Sequence, residues 1–175
     1  MWKLRVNAWG LALGLFGAGC GCAASGDRRP DGPAVETAGT HTAYGARFAL
    51  PPGWTGGEND SQGYELTDGD LALMIGRQAM AEDAALATHA EERRRALVEG
   101  GASDALTRSE RTLSGTKCIE FSGKGEGDVE IRLLVARPDS NMGISFLMLG
   151  DGKNVANLDA AWAKLVGSLT FSPTP

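Results

Sequence analysis

The segment Met142–Leu149, "MGISFLML", limits what this chain can fold into more than any other stretch. Met142, Ile144, Phe146 and Met148 lie on one side of an extended backbone, and Leu147 and Leu149 lie on the other. Side chains of a strand alternate between two faces, so a strand apolar on both belongs inside a sheet covered on each side. The architecture is therefore layered, with a sheet in the middle. Val129–Ala136 fits beside this strand, because Val129, Ile131, Leu133 and Val135 share a face.

The remaining periodicities supply the other strands and the cover. Strands are expected at Leu106–Leu113 and Lys117–Phe121, set apart by Ser114-Gly115, by "SGKGEGD" and by "RPDSN". "GYELTDGDLALMIGRQ" predicts a hairpin around Asp68-Gly69, a pair suited to the positive φ angles of a type I′ turn. Leu71, Leu73 and Ile75 share a face of its second arm. "HTAYGARFALPPGW" predicts one opening strand carrying Tyr44, Phe48 and Leu50, ended by Pro51-Pro52-Gly53. Leu86, Ala90 and Leu97 recur at helical spacing, with Asp83 as a cap and Gly100-Gly101 as a stop. Glu91 can pair with Arg94 or Arg95 on the outer face of that helix. A second helix is expected from an Asn157 cap to Val166, with Leu158, Trp162 and Leu165 as its core stripe. The fold class is α+β, an antiparallel sheet of about six strands flanked by two main helices, over residues 43–172.

An opening "FALPPGW", a hairpin, a long amphipathic helix, a four-strand meander and a last helix running into "LVGSLTFS" resemble the PsbP-like fold. That superfamily includes bacterial envelope lipoproteins of the DcrB type. The resemblance implies an α/β/α sandwich that serves as a non-enzymatic accessory or interaction module. It brings no shared catalytic set.

The chain ahead of this domain carries a different message. Lys3 and Arg5 precede a largely apolar run from Ala8 to Gly19, the layout of an export signal. The run is short for a membrane span, which takes roughly 20 apolar residues. Gly17-Ala18-Gly19 then lead into Cys20, and this resembles the lipobox of bacterial lipoproteins, although Gly17 stands where that box usually has a branched aliphatic residue. The resemblance implies a signal peptide over residues 1–19, cleavage before Cys20 and diacylglycerol with palmitate-type acylation on Cys20. Ordinary secretion with cleavage near Ala23–Ser25, and an uncleaved anchor, are the alternatives. Gly21 rather than Asp follows the cysteine, which by resemblance to known sorting rules favours the outer membrane of a two-membrane bacterium. Residues 20–42 are rich in Gly, Ala, Pro and polar residues and read as a flexible tether, with a reach of roughly 25 Å.

Charge and residue inventory narrow the function. The formal balance is −5, and loss of residues 1–19 removes two basic groups more. An acidic chain argues against nucleic acid. Cys20, Cys22, Cys118, His41 and His89 do not make the ligand set of a tetrahedral metal site, so no metal and no cofactor are expected. Cys118 in "TKCIEF" reads as a buried thiol, with a Cys22–Cys118 disulfide as the alternative. Both histidines read as surface or boundary residues. "LGDGKN" lacks the Gly and Ser or Thr of a phosphate loop, so it reads as a turn. The acidic pairs Glu126 with Asp128 and Glu58 with Asp60 read as solvated loops. Two functions stand: a membrane-tethered, non-catalytic module binding an envelope protein or small ligand, and a small extracytoplasmic hydrolase with a carboxylate-based site. Trp54 and Tyr64, in "PPGWTGGENDSQGY", are the contact residues for the first; a place at the rim of the core is the competing reading of both.

Overall fold

In the computed structural model, which describes residues 39–59, 63–82 and 84–172, the doubly apolar segment is a central strand. The elements are β1 Thr40–Ala43, β2 Ala46–Ala49, β3 Thr55–Asn59, β4 Gly63–Thr67, β5 Leu71–Ala79, α1 Leu86–Glu99, β6 Thr107–Leu113, β7 Thr116–Lys124, β8 Val129–Ala136, β9 Met142–Asp151, α2 Val155–Ser168 and β10 Thr170–Phe171. Seven of the strands form one antiparallel sheet in the order β3-β4-β5-β9-β8-β7-β6, and β1-β2-β10 form a second, small one. β9 is the fourth of the seven. Its register sets Phe146 between Ile75 of β5 and Leu134 of β8.

The two faces of the sheet carry separate cores. On one, Leu71, Leu73, Ile75, Leu134, Ile144, Phe146 and Met148 pack with Phe48 of the small sheet, with Leu50 just after it, and with Leu158, Trp162 and Leu165 of α2. Phe48 meets Phe146 edge to face, with ring centroids 5.7 Å apart. On the other face, Ile119, Phe121, Ile131, Leu133, Val135 and Leu147 lie under Ala90 and Leu97 of α1. The alternation read in Met142–Leu149 is the division between these two cores.

Several expectations change in detail. The main sheet has seven strands instead of about six, because Thr55–Asn59, read as loop, pairs with β4. The strand is disguised by glycine: Gly56 has φ +136°, and a Cβ there would come within 2.1 Å of the Glu65 carbonyl oxygen. The expected single opening strand is two strands folded back at Tyr44-Gly45, whose φ values of 50° and 78° suit a two-residue hairpin. β1 begins at Thr40, so its first residues come from the stretch read as tether.

The Asp68-Gly69 hairpin exists, but not with a type I′ turn. Only Gly69 has positive φ, and the Asp68 carboxylate instead accepts from the backbone N–H groups of Asp70 and Leu71. Asn157 is not a cap: α2 starts two residues earlier, after a single 3₁₀ turn over Gly152–Asn154 in which Asp151 accepts from the Lys153 N–H. The other helix spans the expected residues. Its proposed cap Asp83, the leader 1–19, Cys20, Cys22 and Asp60 lie outside the described residues.

Candidate functional site

Of the two contact residues chosen from the sequence, Trp54 is a core residue, 7% exposed. Its Nε1 is buried without a described acceptor. Tyr64 is half-buried and packs against the same core. It sits on β4 opposite Glu58 of β3 and Ile75 of β5. The structure adds Tyr44 and Arg77 to this corner. The tight β1–β2 turn projects Tyr44 over the main sheet, and the Arg77 guanidinium lies 4.9 Å from its ring centroid. Gly63 lets the chain pass beneath: a Cβ there would meet the Ile75 carbonyl at 2.7 Å and the Tyr44 hydroxyl at 3.3 Å.

Burial raises the Tyr44 hydroxyl above its ordinary pKa, Glu58 adds to the rise, and Arg77 opposes it. The hydroxyl therefore stays a neutral hydrogen-bond donor at physiological pH. Two amphipathic aromatics, a cation and a carboxylate at one corner are the residue types that anchor protein contacts. No spacing in the sequence links Tyr44 with Arg77, because the Tyr44-Gly45 turn that sets the ring beside Arg77 has the pattern of a continuous strand.

Other titratable groups serve the fold. His41, buried on β1, stacks on Phe48 with centroids 5.7 Å apart. Glu120, 7% exposed on β7, accepts a 2.6 Å hydrogen bond from Trp162 Nε1 and pairs with Arg111. Glu130, also buried, pairs with Lys124 at 3.3 Å and Arg132 at 3.5 Å, and Arg132 reaches Asp159 at 2.7 Å. Glu130 stands opposite Lys124, four residues along β7 from Glu120. Their backbone positions are thus roughly 13 Å apart along the sheet, and each carboxylate is engaged by its own cation. Asp128 pairs with Lys124 at 3.0 Å. Among the described residues no group of three His, Cys, Asp or Glu side chains is arranged to hold a metal ion.

Cys118 is the free buried thiol expected, and burial pushes its pKa up to about 11. It should therefore react with a maleimide at pH 8 on the order of 100-fold more slowly than in the unfolded chain. Peptide mapping after timed labelling, with Cys20 and Cys22 read separately, checks this. Equal labelling in native and denatured protein would refute burial of the thiol.

The layered architecture has relatives among solved structures. The cyanobacterial PsbP (CyanoP) of Synechocystis sp. PCC 6803 matches with a TM-score of 0.61 at 15% identity, over 81% of this chain and 98% of that one. The domain has a PsbP-like fold. LpqN of Mycobacterium tuberculosis, described as involved in cell envelope biogenesis, shares it with a TM-score of 0.56 at 11% identity, over 73% of this chain and 83% of LpqN. PA94 of Pseudomonas aeruginosa, a protein of unknown function, gives 0.51 at 13% identity, over 77% and 97% of the two chains. No protein-family model and no curated protein matches the sequence. At these identities the PsbP-like likeness is one of fold, and the element order seen in the sequence is what carries it.

Proposed function

We propose that this chain is a lipid-anchored envelope protein, attached through Cys20, whose PsbP-like domain is a non-catalytic binding or accessory module. The observation that carries the reading is the order of parts: a basic, apolar leader ending in Gly17-Ala18-Gly19-Cys20, then a polar stretch, then a PsbP-like domain. The shared fold with LpqN, described as involved in envelope biogenesis, supports it. No helix among the described residues is long and apolar enough to cross a membrane, so membrane attachment in this reading rests on the lipid. Several acyl chains make a stable anchor, each buried methylene adding about 0.8 kcal/mol. The partner is an envelope protein, contacted at the Tyr44–Tyr64–Arg77 corner with Trp54 supporting it from the core. The outer membrane is the proposed destination.

Intact-mass analysis of protein extracted from membranes is expected to show a chain beginning at an acylated Cys20. Cys20→Ala is expected to move the protein out of the lipid-anchored fraction, and density-gradient fractionation of the unmutated chain places it with outer-membrane markers. An unmodified mature chain recovered in the soluble fraction would overturn the anchor. Crosslinking in native membranes then identifies what the Tyr64 corner touches.

A further inference from the structure

α1 is fastened to the sheet by an unusual set of residues. Its buried face consists of His89, Ala90, Arg93 and Leu97, two of which are ionisable. Its ends are weak. The residue before its first turn is Ala85, which offers no side-chain cap, and neither an acidic residue in the first turn nor a basic one in the last complements the helix dipole. The segments that flank it are held more firmly. The Arg137 guanidinium donates to the carbonyls of Ala81, Glu82 and Ala84 and to that of Ser140. Beyond the other end, the Ala102 and Ser103 N–H groups bond to Leu97 and Lys124, and Ala102 bridges Gly125. The helix is a strap held at both ends.

His89 is 3% exposed, and its Nε2 is buried without a partner among the described residues. The imidazole lies directly on the backbone of β9: a methyl group at Gly143 would come within 2.5 Å of Nε2, and within 2.8 Å of Met80 Sδ. Of the charged groups on its own helix, Arg93, which donates to Gln78, is buried beside it, and the Glu92 carboxylate is 4.0 Å from Nδ1 and largely exposed; Arg94 is paired with Glu91. Around the ring lie Gly143 of β9 and Met80 just after β5, with Gln78 of β5 opposite Gly143, and none of these titrates. β7 and β8 present Ile119, Phe121, Ile131, Leu133 and Val135 to the helix. The neighbouring loops carry Glu82, Asp139 and Arg137, the last engaged with backbone carbonyls.

We infer that α1 is an acid-releasable strap: protonating His89 sets a second cation beside Arg93 under the helix, and α1 lets go between its fixed ends, uncovering the apolar face of β7–β9. Burial, with Arg93 adding to it, lowers the His89 pKa from 6.5 to about 4 in the closed form. The sign follows from linkage. Above pH 6.5 the imidazole is neutral whether α1 is closed or open, and it does not bias the balance. As pH falls from 6.5 towards 4, the open form takes up a proton that the closed form refuses, so closure weakens throughout that window.

Hydrogen exchange of the full chain in detergent tests this. Between pH 7 and pH 4.5, corrected for intrinsic rates, exchange over residues 86–99 is expected to rise roughly 50-fold, while β5, β8 and β9 stay protected. A dye that binds exposed apolar surface should brighten over the same range, and His89→Gln should abolish both changes. NMR titration of His89 in the unmutated chain keeps the test open if that variant does not fold: imidazole protonation should coincide with the loss of α1 protection. Protection of α1 that persists at pH 4.5, simultaneous loss of protection everywhere, or an imidazole that titrates near 6.5 under a closed helix would each overturn the strap.

Discussion

Phe146→Ala is expected to destabilise the domain by about 3–5 kcal/mol, at the upper end for a large-to-small core change. Phe146 is fully buried on the central strand, which has three strands of the sheet on either side. Its neighbours cannot close the space easily. Ile75 and Leu134 are fixed by the register of β5 and β8, and Phe48 lies on β2, held between β1 and β10 in the second sheet. The cost therefore includes the cavity as well as the lost transfer energy. Urea unfolding followed by far-UV circular dichroism checks the value. A loss below about 1.5 kcal/mol, the range of volume-conserving changes, would mean that the two layers do not meet at this ring.

Glu120→Ala is expected to cost about 3 kcal/mol, through a different cause. The carboxylate accepts from Trp162 Nε1 at 2.6 Å and pairs with Arg111. Its removal leaves an indole N–H inside the core without an acceptor, which alone costs about 1–3 kcal/mol, and removes a charge from a buried pair. Arg111 is 40% exposed, so its guanidinium can turn to water and limit the loss. Glu120→Gln keeps an acceptor for Trp162 and should cost about 1 kcal/mol. Denaturation midpoints and Trp fluorescence of the two variants give the comparison. Equal losses in both would show that the charge, and not the hydrogen bond to Trp162, holds α2 to β7.

The layers were legible in the sequence because burial on both faces of β9 leaves a short, nearly continuous apolar run, and the neighbouring β8 shows one shared apolar face beside it. The α2 stripe of Leu158, Trp162 and Leu165 was equally plain, and all three are buried. What escaped was carried by glycine and by charge. β3 hides in "TGGEN", where a close approach of backbones replaces side-chain pairing. The β1–β2 turn hides at Tyr44, a residue that rarely takes positive φ.

The buried ions also leave a trace in the sequence. Arg93 falls between Ala90 and Leu97 on the apolar spacing of α1, and Glu120 shares a strand face with Cys118. Both sit on inward faces, and treating charged residues as solvent-facing conceals them. Of the two readings of Trp54, contact residue and rim of the core, its burial at 7% exposure fits the second.

The small sheet also brings together the two ends of the described chain. β1, where the described chain enters, and β10, where it leaves, both pair with β2, so the two ends emerge within roughly 15 Å of each other. That sheet lies on the α2 side of the main sheet. Both ends of the described chain therefore lie on the α2 side of the main sheet, opposite the side that α1 covers. Whatever is joined ahead of residue 39 or beyond residue 172 starts from that one side, which makes the α1 side the one farther from both junctions.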